Sequence, residues 1–140
     1  MDVAWVEIVS QCVFCYTELD PRQKIVLSND HCYFLQLDYF RQHGVTLEGA
    51  GVVVPKNHRE TVFDLTEEEW QSTFELLQEV KQYLDDNYLP DGYNIGWNCG
   101  EVGGQSIFHA HLHVLPRYKN EALAGKGIRY LLKAAENKRK

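Results

Sequence analysis

Long apolar runs are missing from this chain of 140 residues: the stretch Ala50 to Val54 falls far short of the ~20 residues a membrane-spanning helix needs. No membrane partner is expected on that ground. No basic patch leading into an apolar segment opens the sequence (Met1-Asp2-Val3-Ala4-Trp5-Val6-Glu7), so no secretory signal is visible and the expected location is cytoplasmic. Internal repeats, low-complexity runs and Pro/Gly-rich linkers are also lacking, which points to one domain, residues 1–140, long enough to bury roughly 68% of its unfolded surface. Positive charge is scarce outside the C-terminus. The net charge is −6, yet six Lys/Arg and one Glu fall in the last fifteen residues. The first 125 residues therefore hold eight basic against nineteen acidic side chains, a net of −11. A globule this acidic lacks the electrostatic footprint of a nucleic-acid binder, and the basic tail reads as a solvated end. What remains is ordinary globular chemistry, 44% apolar and 24% charged.

The cysteines are four: Cys12, Cys15, Cys32 and Cys99. A disulfide framework is not expected in the cytosol, where Cys-x-x-Cys points to a metal or a redox couple. Nothing around Cys12-Val13-Phe14-Cys15 announces the helix N-terminus that lowers thiol pKa values in redox pairs. A single Cys-x-x-Cys also supplies only two of the four ligands of a structural zinc.

The first half of the chain reads as short strands: Lys24 to Leu27, Cys32 to Leu37, and Ala50 to Val54 stopped by Pro55. Residues Arg41 to Gly49 read as a loop. A helix is expected over Glu67 to Asn87, with capping-box spacing between Thr66 and Glu69 and a stop at Pro90 and Gly92. Its apolar positions Trp70, Phe74, Leu77, Leu84 and Tyr88, interrupted by Lys81, form a stripe expected to face the core. Strands at Tyr93 to Asn98 and His109 to Leu115 follow, and a short helix after Gly125-Lys126-Gly127. The class is α+β, a mainly antiparallel sheet of about five strands with one long helix and a short C-terminal one.

The informative segment is Phe108-His109-Ala110-His111-Leu112-His113-Val114-Leu115-Pro116-Arg117. On a strand, His109, His111 and His113 would share one face while Ala110, Leu112 and Val114 pack into the core. Three imidazoles in alternation are hard to explain by packing, because each needs hydrogen-bond partners. They could form a catalytic metal site with an open position, or one could serve as a nucleophile. The preceding Gly103-Gly104-Gln105-Ser106 offers unencumbered backbone N–H groups with amide and hydroxyl side chains, a device suited to phosphate.

These residues, with Tyr93-Asn94-Ile95-Gly96-Trp97-Asn98-Cys99-Gly100 upstream and Val52-Val53-Val54-Pro55-Lys56-Asn57-His58 earlier, resemble the signature of the histidine-triad (HIT) nucleotide hydrolases and transferases, closest to bacterial diadenosine-polyphosphate-hydrolase-like members. The likeness runs from about Cys12 to Tyr118. It implies a nucleotide hydrolase in which His111 attacks the α-phosphorus of a (di)nucleoside polyphosphate or nucleoside phosphoramidate, forming a covalent nucleotidyl-histidine. His113, Gln105 and Ser106 would hold phosphoryl oxygens, with Ser106 reaching the leaving group, and Gly104, Ile107 and Asn98 would contact the substrate. Asp38 would bond the ribose hydroxyls. The resemblance also implies a closed structural zinc site of Cys12, Cys15, His58 and His109, no catalytic metal or organic cofactor, and a homodimer. Two departures stand out: Gly49-Ala50 replaces the family's Gly-His, and the segment between Asp38 and Gly49 is about four residues longer. Two other readings remain: a zinc-stabilised nucleotide-binding or regulatory module with little catalysis, and a catalytic zinc on the triad itself.

Overall fold

The computed structural model describes residues 3–37 and 47–139, and the side chains from residue 7 onward within them. The proposed ribose ligand Asp38 and the loop residues up to 46 lie outside the described residues. The chain begins with helix α1 (Val3–Ser10) and continues through β1 (Gln23–Ser28), β2 (Cys32–Leu37) and β3 (Gly51–Pro55). Helix α2 (Glu67–Tyr88), strands β4 (Gly92–Trp97) and β5 (Leu112–Arg117), and the short helix α3 (Arg129–Lys133) follow. The five strands form one antiparallel sheet in the order β1-β2-β3-β5-β4, the class expected from the sequence. Among the described residues no helix is long and apolar enough to cross a membrane.

Alternation along the strands divides the apolar residues between two faces. Cys32, Phe34, Val53, Leu112 and Val114 face α2 and form the larger core with Leu76, Val80 and Leu84. Leu35 and Val54 face the other way, against Cys12 and Phe14. The central strands are thus buried on both faces, which is why β3 reads as a continuous Val-Val-Val run. Gly51 is required at its start: a Cβ there would lie 2.5 Å from the Leu35 carbonyl oxygen and 2.6 Å from the Phe34 ring.

Helix α2 begins where the capping box places it. Thr66 Oγ1 accepts from the Glu69 backbone N–H at 3.1 Å, and Glu69 Oε1 accepts from the Thr66 N–H at 2.8 Å. The buried stripe matches the expected one only in part: Leu84 is buried and Leu77 and Tyr88 pack against the core as expected, but the rest differs. Trp70 and Phe74 are 49% and 59% exposed, and the face against the sheet is Glu69, Ser72, Thr73, Leu76, Val80 and Leu84. Small residues let the helix approach: Thr73 spends its hydroxyl on the Glu69 carbonyl at 2.7 Å, so it is buried without a polar debt. The rotated helix leaves Trp70 outside, edge-on to Trp97 of β4 with ring centroids 5.9 Å apart.

The histidine segment also departs from expectation. The strand starts at Leu112, not His109. Ala110 N–H is taken by the Arg59 carbonyl at 2.6 Å, outside the sheet ladder, so the chain leaves register with β3 beyond the Val53–Leu112 pair. Arg59 is itself held by Glu69 of α2, Nε to Oε1 at 2.9 Å. Of the three histidines, only His113 lies on β5.

Candidate active site and metal centre

The irregular path before β5 sends His109 and His111 to different neighbours. His109, completely buried, turns toward the segment after α1. Its Nδ1 lies 3.3 Å from Cys12 Sγ and 3.5 Å from Cys15 Sγ, while His58 Nδ1 lies 3.2 Å from Cys15 Sγ. One donor atom from each of Cys12, Cys15, His58 and His109 falls within 4.8 Å of the others. Two sulfurs and two imidazole nitrogens at this separation suit a tetrahedral zinc. The second partner of His109 agrees: Nε2 is 2.7 Å from the Pro55 carbonyl, an acceptor only, so Nε2 carries the proton and the Nδ1 lone pair faces the thiols. Burial pushes the Cys15 thiol up to about 12, with the charge and hydrogen bond of Cys12 adding to it. Burial likewise pushes His109 down to about 4. A Cys15 thiolate is poorly tolerated in this pocket without a cation to neutralise it, and burial holds the His58 and His109 rings neutral, as ligands must be.

His111 stays out of the quartet. Its Nδ1 lies 2.8 Å from the His109 carbonyl oxygen, so Nδ1 bears the proton and Nε2 the lone pair. Burial holds its pKa below the usual value of 6.5, and the same holds for His113 beside it. Both rings are therefore neutral near pH 7. His111 is wedged between Phe14, at a centroid distance of 5.1 Å, and His113, at 4.8 Å. Phe14 is the third residue of Cys-x-x-Cys, so the loop that carries the thiols also forms the wall behind this imidazole.

His111 and His113 open into a cleft of about 390 Å³ on the sheet face opposite α2. Ser106 and Ile107 line it beside the histidines; Leu35 and Val52 form its apolar floor. Two expectations for the preceding loop need correction. The backbone N–H groups of Gly104 and Gln105 are not free: they donate to Glu101 and Gly100 carbonyls, each at 3.0 Å. The buried Gln105 side chain is likewise committed, with Nε2 donating to the Glu60 and Ile107 carbonyls and Oε1 accepting from Gly100 N–H at 2.9 Å. It braces the loop that carries Ser106. Gly104 has φ +100°, a left-handed conformation, and packs near the Asn98 carboxamide. Neither Gly104 nor Asn98 is among the described residues lining the cleft. Sequence reasoning missed Val13, Phe14, Gln23 and Leu37, which do line it. The alternation of Leu35 and Leu37 on β2 was the available signal for the floor; the N-terminal loop carried none.

The comparisons with known proteins agree with the fold and with the family that the histidine segment resembles. The model of the HIT domain family matches residues 20–120. "Protein hit" of Bacillus subtilis is 31% identical over 109 residues, covering 76% of this chain and 71% of that protein. An adenosine 5′-monophosphoramidase of Schizosaccharomyces pombe is 27% identical over 120 residues, covering 83% and 81%. The crystal structure of a HIT family protein from Bacillus anthracis superposes with a TM-score of 0.66 at 28% identity, over 78% of this chain and 74% of that one. With a matching domain model over most of its length, the same fold, and the histidine segment at its centre, the chain belongs to the HIT domain family.

Proposed function

We propose that this protein hydrolyses nucleotides at the α-phosphorus, with His111 as the nucleophile. The observation that carries the reading is the bond from His111 Nδ1 to the His109 carbonyl. It fixes one tautomer and leaves Nε2 as a neutral, oriented nucleophile. Nε2 attacks the α-phosphorus of a nucleoside phosphoramidate or (di)nucleoside polyphosphate, the bond to the leaving group breaks, and a nucleotidyl-histidine forms. Water then attacks phosphorus, the P–N bond breaks, and His111 returns to its neutral state with release of the mononucleotide. His113 and the Ser106 hydroxyl, both in the cleft lining, would donate to phosphoryl oxygens as charge develops there. Gln105 positions that loop. Asp38, directly after the cleft-lining Leu37, is the proposed ribose partner; Ile107 lines the phosphate end, while Gly104 and Asn98, outside the described lining, would shape the loop behind it. The relative named as an adenosine 5′-monophosphoramidase supports the reaction class.

Cys12, Cys15, His58 and His109 would hold a structural zinc. The ion would fix His109, and with it the carbonyl that orients His111, while taking no part in phosphoryl transfer. A homodimer is proposed through β4, a sheet edge whose Trp97 meets the exposed Trp70.

The test is turnover of adenosine 5′-phosphoramidate and dinucleoside polyphosphates by wild type and His111→Asn. Wild type should release AMP, and the variant should lose roughly 10⁴-fold in kcat while still binding AMP. Wild-type protein that binds AMP yet hydrolyses none of these substrates would make it a nucleotide-binding module instead.

A further inference from the structure

The end of the cleft away from the histidines has a polarity of its own. His113 on β5 is opposite Val52 on β3, Val52 is opposite Leu35 on β2, and Leu35 is opposite Ile25 on β1. Gln23, two residues before Ile25 and opposite Leu37, shares that face. Three strand spacings of ~4.8 Å put β1 roughly 14 Å from β5. That span suits a nucleotide with its phosphate at the histidines and its base at β1, over an apolar floor that accepts a flat ring.

At the β1 end the lining carries polar groups from one tight turn, closed by Gln23 N–H donating to the Asp20 carbonyl at 3.0 Å. The Gln23 carboxamide has a fixed orientation. Its Nε2 lies 2.8 Å from the Val13 carbonyl and 3.4 Å from the Thr17 carbonyl, two acceptors that only the NH₂ end can satisfy. Oε1 accepts no hydrogen bond among the described residues. No described buried side-chain oxygen or nitrogen lacks a partner, so the unpartnered Oε1 is not sealed away from the cleft's solvent. Gln36, the other carboxamide of the lining, is already spent on the Gly49 carbonyl at 2.9 Å and on Tyr88. The Asp20 carboxylate accepts from Arg22 N, Nε and Nη2, and these bonds keep it ionised. Among the described lining residues, the polar side-chain atoms left over at this end are acceptors.

We infer that Gln23 is a specificity-determining residue that reads the nucleobase: its Oε1 accepts a hydrogen bond from an exocyclic amine, so the cleft favours 6-aminopurine nucleotides over 6-oxopurine ones. The inference rests on the nucleotide reading of the same cleft. A base with a carbonyl at that edge sets oxygen against oxygen, while the amine meets an acceptor whose partner-side orientation is already settled.

The experiment measures binding, not turnover, so that it stands apart from the catalytic claim. Calorimetric Kd values for AMP, purine-riboside 5′-monophosphate (no amine) and IMP are compared in the full chain and in Gln23→Leu. Wild type should bind AMP roughly fivefold tighter than purine-riboside monophosphate, with IMP weakest. Gln23→Leu should weaken AMP to the level of purine-riboside monophosphate and leave the latter within about twofold. Gln23→Asn, which withdraws the oxygen by one methylene, should do the same and serves if the leucine variant does not fold. Equal loss for all three ligands would mean Gln23 only braces Val13 and Thr17, and would overturn the inference. Equal wild-type affinity for the three nucleotides would overturn it while leaving the hydrolase reading intact. Failure of every nucleotide to bind would remove both.

Discussion

On one face of the sheet, Phe34, Val53, Leu112 and Val114 meet Leu76, Val80 and Leu84 of α2 in an apolar core. On the other, Leu35 and Val54 meet Cys12 and Phe14, and the same layer continues into two histidines, a Cys/His quartet that could hold a metal, and a cleft. Neighbouring residues of one strand serve both: Leu112 faces the helix, His113 the cleft. The first face gains from burial that any well-fitting side chain can supply. The second depends on hydrogen bonds and ligands that accept few substitutes: His109 Nε2 on Pro55, His111 Nδ1 on the His109 carbonyl, and Gln105 on three backbone groups.

The comparison can be broken most forcefully at the quartet. Cys12→Ser should abolish stoichiometric zinc binding and lower stability by roughly 4 kcal/mol, the linkage expected of a ligand present about a thousandfold above its Kd. Zinc content by atomic absorption together with urea denaturation checks this, and a chelator acting on wild type should reproduce it. If Cys12→Ser keeps its zinc and its stability, the ordered wall behind His111 does not depend on metal.

A smaller loss is expected on the helix face. Leu76→Ala removes a completely buried side chain and should cost about 3 kcal/mol. Its kcat at a temperature where it remains folded should match wild type. A large fall in kcat with the fold intact would show that the two faces are not separable.

The smallest effect concerns the bridge between the faces. Burial would raise the Glu69 carboxyl, but the Thr66 N–H and the Arg59 guanidinium outweigh it and hold the pKa below the ordinary 4.5. A depressed folded-state value means that this stabilisation is present above about pH 4.5 and is lost as pH falls through the lower folded value. Denaturation midpoints between pH 7 and 3 should show an acid limb for wild type that is shallower in Glu69→Gln. Parallel limbs would show that Glu69 contributes no proton linkage.

How much of this was legible beforehand follows the same division. The ends of α2 were written in Thr66, Glu69 and Pro90, which act locally. Its buried face was legible only in part: Leu77, Leu84 and Tyr88 meet the core, but Trp70 and Phe74 do not, because two stripes at helical spacing compete and the one that wins contains the polar Ser72 and Thr73. Strand alternation placed Leu112 and Val114 in the core and His113 in the cleft. It could not show that Ala110 bonds to Arg59, and so misplaced the start of β5. Helix α1 gave no capping signal. For the metal quartet, the cysteine pair was visible as half a site, and the histidines were supplied by family resemblance. The cleft lining was the least legible part. Phe14 and Gln23 reach it from a loop and an edge strand whose placement depends on distant contacts, and the commitment of Gln105 to the Glu60 carbonyl links residues far apart in sequence.

The central claim is that His111 Nε2 forms a bond to phosphorus. Rapid acid-free quenching of the protein with adenosine 5′-phosphoramidate, followed by peptide mass spectrometry, tests it most directly. The account predicts an adenylyl group on His111 in wild type and none in His111→Asn. Steady AMP release with no adduct on His111, or an adduct on His113 instead, would contradict it.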